Sequence, residues 1–262
     1  MSEPVLLDVR ENVATVTLNR PEKLNAFTPA MLATLVSLID ECEQRDDVAV
    51  VILTGAGRGF CSGGDISEMG DDADNRPHIT KHYIADVIQA FPRRMAGFSK
   101  PAIAALNGVA AGGGLDLALA CDMRVAAQSA SFAETYTRIG LLPGGGGAWY
   151  LPRLIGRGMA MEMLLSGDFI DADEALRIGL VNHVWPDAEL MDQALALGAR
   201  IARNPPLSSR LIKQAVSHAE HADLNTCLDL ISSHIAITKS GPDHTEAIAA
   251  FLDKRDGDFR GY

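Results

Sequence analysis

Val13-Ala14-Thr15-Val16-Thr17-Leu18 alternates apolar and small polar side chains, as a strand with one buried face does, and Asn19-Arg20-Pro21-Glu22 breaks it. The pattern predicts a hairpin with Leu6 to Arg10. Thr28-Pro29 then supplies an N-cap and a proline suited to a first helical turn, and Met31, Leu32, Leu35, Val36, Leu38, Ile39 and Cys42 follow at helical spacing. The run Val48 to Leu53 is continuously apolar and β-branched, the pattern of a strand covered on both faces, and Gly55-Ala56-Gly57-Arg58-Gly59 ends it. Ala102 to Leu106 and Met123 to Ala127 repeat this strand pattern, with a helix predicted between them over Gly113 to Cys121. The order implies an α/β fold of stacked ββα units over residues 1–200. Beyond it the chain reads as helical, with helices predicted over 189–203, 208–219, 224–238 and 243–254, so residues 201–262 are assigned to a helical C-terminal segment.

Composition narrows the class. The 262 residues include 23 basic and 34 acidic side chains, a formal charge of −11, which opposes attraction to nucleic acid or to an anionic membrane. Cys42, Cys61, Cys121 and Cys227 are scattered without a C-x-x-C pair, as suits reduced packing thiols better than a disulfide framework or a zinc site. The first ten residues lack the basic flank and apolar stretch of a secretory signal, and the most apolar stretch, Ala102 to Ala120, is interrupted by Asn107, Asp116 and four glycines. A soluble, cytoplasmic protein is expected.

Three glycine-bearing segments carry the candidate chemistry. Phe60-Cys61-Ser62-Gly63-Gly64-Asp65-Ile66 follows the apolar strand and places backbone amides where a ligand can come close. Gly55-x-Gly57 lacks the third glycine of a dinucleotide fingerprint, because Phe60 stands there. Asn107 to Asp122 places Gly112-Gly113-Gly114 at the opening of a helix, where unpaired N–H groups favour negative charge, with Asp116 in the first turn. The third segment runs from Ser131 to Trp149 and includes Glu134, Tyr136 and Leu142-Pro143-Gly144-Gly145-Gly146-Gly147. His78 and His82 stand i, i+4 in a polar stretch without a companion carboxylate motif, and they read as solvated residues entering a helix instead of a metal pair. Asp71-Asp72-Ala73-Asp74 lacks the glycine and distal glutamate of a calcium loop.

Taken together, these segments resemble the enoyl-CoA hydratase/isomerase (crotonase) superfamily. Asn19-Arg20-Pro21 with Leu24-Asn25-Ala26, the span Gly156 to Gly167, Ala175 to Val184 and the closing Ala250 to Arg255 extend the resemblance over nearly the whole chain. The resemblance implies a spiral of ββα units, an acyl-CoA thioester substrate whose coenzyme A is the only cofactor moiety, no metal, and assembly into a homotrimer or a hexamer of two trimers. It implies that two backbone amides, those of Ser62 and Gly113, form an oxyanion hole, and that CoA threads past Lys23, Leu24, Ala26, Gly63, Gly64, Asp65 and Ile66, with Lys254 holding its nucleotide end. Family hydratases use two glutamates; here their positions hold Asp116 and Tyr136, and a phenol with an ordinary pKa near 10 is a poor base. Glu134, two residues away, is the candidate replacement. Isomerases of the superfamily often carry an aspartate where this chain has Gly144. The implied reaction is hydration of a 2-enoyl-CoA, with isomerisation, C–C hydrolysis, decarboxylation or catalytically silent CoA binding as alternatives.

Overall fold

The computed structural model describes residues 3–65, 67 and 76–261. Val5–Arg10 (β1) and Val13–Leu18 (β2) pair antiparallel, joined through Glu11 and Asn12 at φ +49° and +63°. Left-handed residues at both turn positions match the twist of the flanking strands. Pro29–Gln44 (α1) starts where Thr28 caps it, the Thr28 hydroxyl accepting from the Met31 amide at 3.2 Å. Its buried face, Met31, Leu32, Leu35, Ile39 and Cys42, is the one that the spacing marks.

Val50–Gly55 (β3), Ala102–Leu106 (β5), Met123–Ala127 (β7) and His183–Trp185 (β10) extend the hairpin into a six-stranded sheet of order β1-β2-β3-β5-β7-β10, parallel from β2 onward. Shorter strands, Gly59–Cys61 (β4), Val109–Ala111 (β6), Ser131–Ala133 (β8) and Ile170–Asp171 (β9), build a second sheet in that order. Each circuit thus lays one strand in each sheet before a helical return: β3 and β4, then Pro77–Tyr83 (α2) and Ala90–Ala96 (α3); β5 and β6, then Gly113–Leu119 (α4); β7 and β8, then Gly147–Ile155 (α5) and Arg157–Ser166 (α6). This is the crotonase-like ββα spiral. Ala172–Arg177 (α7) leads to β10, and Leu190–Ala202 (α8) lies across the large sheet through Leu190, Ala194 and Gly198.

One contact fixes where the first and second segments meet. A methyl group on Gly114 would sit 2.0 Å from the Cys61 carbonyl oxygen, so the first turn of α4 lies backbone against backbone on the exit of β4. The remaining helices, Pro206–Ala219 (α9), Leu224–Ser240 (α10) and Pro242–Asp253 (α11), contribute only Asp243 and Ala250 as buried residues. They expose Ile212, Val216, Ile235, Ile248 and Phe251. Among the described residues, no helix is long and apolar enough to cross a membrane.

Candidate active site

The chain between β2 and α1 is stitched against the exit of β4. Leu24 and Asn25 take left-handed φ of +49° and +55°, and Asn25, wholly buried, donates to the carbonyls of Ala56 and Gly59 and accepts from the Arg20 amide. Arg20 donates to the Ala26 carbonyl at 2.6 Å and pairs with Asp65 at 2.9 Å. Bonds from the Ser67 hydroxyl and from Arg20 hold the Asp65 carboxyl down at about 2.

This stitching decides which amides are available, and it corrects one expectation. The Ser62 N–H donates to the Leu24 carbonyl at 3.0 Å and is therefore spent within the fold. The Phe27 amide donates to Gly63 O, and the Asp65 amide to Phe27 O, each at 2.9 Å, which makes a parallel bridge between Phe27 and Gly64. In such a bridge the amide of the central residue points away from its partner. The Gly64 N–H does so, and among the described residues it has no backbone acceptor. The Gly113 N–H at the start of α4 has none either, although the preceding Gly112 amide is bound to Ala133 O at 2.8 Å. A Cβ on Gly63, whose φ is +103°, would lie 3.1 Å from Ala111 O and 3.6 Å from Gly113 N, so the two donor-bearing segments adjoin. Position in the motif pointed to the turn; within it the bridge register leaves the Gly64 amide without a backbone acceptor where that of Ser62 is spent.

Asp116 lies one turn into α4 and is 2 % exposed. Its Oδ2 accepts from the Tyr136 hydroxyl at 2.6 Å and from the Gly145 amide at 2.9 Å, while Oδ1 has no hydrogen-bond partner. Burial pushes its pKa up, against the pull of the Tyr136 and Gly145 bonds. Tyr136, in the short 3-10 turn Thr135–Ile139 after β8, is only half-buried, and burial and the charge of Asp116 raise its phenol far above the ordinary value. It remains a donor. A Cβ on Gly113 would come within 3.2 Å of this hydroxyl, so Tyr136 adjoins both Gly113 and Asp116. Glu134, at the end of β8, is fully buried with both carboxyl oxygens unpaired, and burial, then Asp116, drive its pKa up to about 10.

The remaining candidates fall in two groups. Leu24, Ala26, Gly63, Gly64 and Asp65 belong to the stitched loop, and Lys23 is exposed at its edge, with its carbonyl accepting from the Ser62 hydroxyl at 3.3 Å. Ile66 lies outside the described residues, as does the acidic run Asp71 to Asp74. Lys254 is the left-handed C-cap of α11, exposed, and no bond among the described residues joins it to the loop. Burial raises the Cys61 thiol to about 12, which leaves it no nucleophile at neutral pH. His78 and His82 are exposed on α2, and no group of three metal-ligating side chains occurs among the described residues. Reading by motif included Arg20 and Gly145 in its segments without giving either a role in the site.

The comparisons with known proteins bear on this geometry. The sequence family described as enoyl-CoA hydratase/isomerase matches residues 8–262. The chain belongs to this family, within the crotonase superfamily. Among curated relatives, it is 39 % identical to the 1,2-epoxyphenylacetyl-CoA isomerase of Escherichia coli over 100 % of both chains. It is also 39 % identical to the short-chain-enoyl-CoA hydratase of Clostridium acetobutylicum, over 96 % of this chain and 95 % of that one. The crystal structure of an enoyl-CoA hydratase from Bacillus anthracis superposes with a TM-score of 0.93 at 35 % identity, covering 99 % of this chain and 100 % of that one. Relatives of both reaction types stand at equal identity, so resemblance alone does not choose between hydration and isomerisation.

Proposed function

We propose that this family member hydrates a 2-enoyl-CoA thioester, with the amides of Gly64 and Gly113 binding the thioester oxygen and Asp116 handling the proton through Tyr136. The observation that carries the reading is the pair of unspent amides on adjoining segments, with the Tyr136 hydroxyl beside one of them and on Asp116 Oδ2 at 2.6 Å. Negative charge grows on the thioester oxygen as water adds to the β-carbon, so fixed donors bind the transition state more strongly than the ground state. Removing one such donor typically costs about 3 kcal/mol of barrier.

The proton bookkeeping closes with one carboxylate. The water loses its proton to the phenol oxygen while the phenol passes its own to Asp116; the same hydroxyl then returns a proton to the α-carbon, and the enolate collapses to the hydrated thioester. No phenolate accumulates, as the raised pKa of Tyr136 requires. A second reading, movement of the double bond, uses the same relay without water, and the single ionised carboxylate favours it equally. In either reaction coenzyme A enters with the substrate, running past Lys23 and the stitched loop, and Lys254 contributes to its nucleotide end. The four unpaired cysteines suit a reducing cytoplasmic setting.

Incubation with crotonyl-CoA separates the two. Hydration removes the conjugated enoyl absorbance and yields a 3-hydroxyacyl thioester by mass; retention of the absorbance with unchanged mass, in the presence of active protein on a 3-enoyl substrate, rejects hydration.

The apolar faces left open on α9, α10 and α11 support assembly through these helices into a homotrimer or a pair of trimers. Sedimentation equilibrium is expected to return a mass of three or six chains, and a monomer mass at micromolar concentration contradicts it.

A further inference from the structure

Glu134 is unaccounted for by the reaction just described. Its side chain is wholly enclosed, and neither oxygen meets a donor. Asp116 Oδ1 is likewise enclosed and unpaired. The two carboxyl groups flank one point: a Cβ on Gly147, the first residue of α5, would lie 2.6 Å from Glu134 Oε1 and 2.9 Å from Asp116 Oδ1. The absence of a side chain there lets them approach. Titratable groups around the pair are Tyr136 on the turn after β8 and Tyr150 on α5, both phenols, and among the described residues no ion pair reaches either carboxyl group.

Two carboxylates enclosed side by side without a cation cannot both be ionised. As anions they are acceptors only, which leaves three oxygens unsatisfied; one proton turns one of them into a donor for the other. The deeper group, with no bond of its own, is the one that keeps the proton. We propose that Glu134 is a positioning residue: it stays a neutral carboxylic acid and donates its O–H to Asp116 Oδ1. That bond stabilises the charge on Asp116 against its burial and fixes the carboxylate plane with Oδ2 toward Tyr136. The inference rests on the reading of Asp116 as the base, and it places the substitute for the second acid behind the reacting pair instead of beside the substrate.

The test uses E134Q and E134A in the full-length protein. Glutamine keeps a donor in place of the neutral acid; alanine removes it. E134Q is expected within tenfold of the wild-type kcat on crotonyl-CoA, and E134A a further 10- to 100-fold lower, about the usual cost of losing a partner that orients a reactive group. The alkaline limb of the wild-type kcat profile, arising as Glu134 ionises, is absent from E134Q. An infrared difference spectrum, wild type minus E134Q at pH 7, should contain the carbonyl stretch of a protonated carboxyl group in a dry site. This last reading needs no turnover, so it stands if the proposed reaction is wrong. E134Q as inactive as E134A while folded, no loss of activity in E134A, or no protonated-carboxyl band in the difference spectrum each overturn the proposal; if E134A does not fold, E134Q and the spectrum decide.

Discussion

Glu134→Gln raises the stability of the folded chain at neutral pH, and the gain widens as the pH rises. In the native state the Glu134 pKa lies near 10, against an ordinary 4.5, because burial and then Asp116 disfavour its charged form. Between those values the folded chain holds a proton that the unfolded chain releases, so the slope of unfolding free energy against pH is negative, and stability complete below pH 4.5 is lost progressively toward pH 10. The slope for one proton is about 1.4 kcal/mol per pH unit, so at pH 7 the burial of this group costs on the order of several kcal/mol. Glutamine has the same shape and no proton to release. Urea unfolding at pH 5, 7 and 9 should give nearly equal stabilities for the two proteins at pH 5 and diverging ones above it. Parallel curves would mean that Glu134 enters the folded chain charged.

Asp116→Asn should abolish turnover, with kcat down by about 10³-fold, within the range that a positioned acid or base contributes, while acyl-CoA still binds. The amide keeps an acceptor for the Tyr136 hydroxyl but cannot take up a proton. Tyr136→Phe removes the relaying hydroxyl and should lower kcat as well, while the residual activity still reports the ionisation of Asp116. The phenol bond lowers the Asp116 pKa against the rise caused by burial, so removing it moves the acid limb of the rate profile to higher pH. If Asp116→Asn retains more than a tenth of the wild-type kcat, proton transfer does not run through α4. If it loses acyl-CoA binding as well, the effect is structural.

What the sequence made legible follows from where side-chain pattern and backbone agree. The central strands β3, β5 and β7 announce themselves as apolar runs, because both of their faces are covered, and α1 and α8 to α11 show helical spacing over several turns. Strands of the small sheet are two or three residues long, too short for a period to form, and only the order of the larger elements implied them. The site divides in the same way. That Gly113, Asp116 and Tyr136 lie close together was readable because motif spacing places them on one element or its neighbour. Ser62 was misread because the direction of an amide depends on pairing register, which here involves Phe27, far away in sequence. The neutral state of Glu134 depends on Asp116 and Gly147, brought to it from α4 and α5 by two different circuits of the spiral.

The close approach of Gly114 to Cys61 has a consequence for selectivity. Main chain rests directly on main chain there, so no rotamer lies between the segments that carry the Gly64 and Gly113 donors. Side-chain fluctuation cannot change the span between those donors, and a substrate can meet it only by presenting an oxygen of the right reach. Under the proposed reaction, discrimination among acyl groups arises at the far end of the bound molecule, and substitutions around the tail can retune preference while leaving the grip on the carbonyl unaltered.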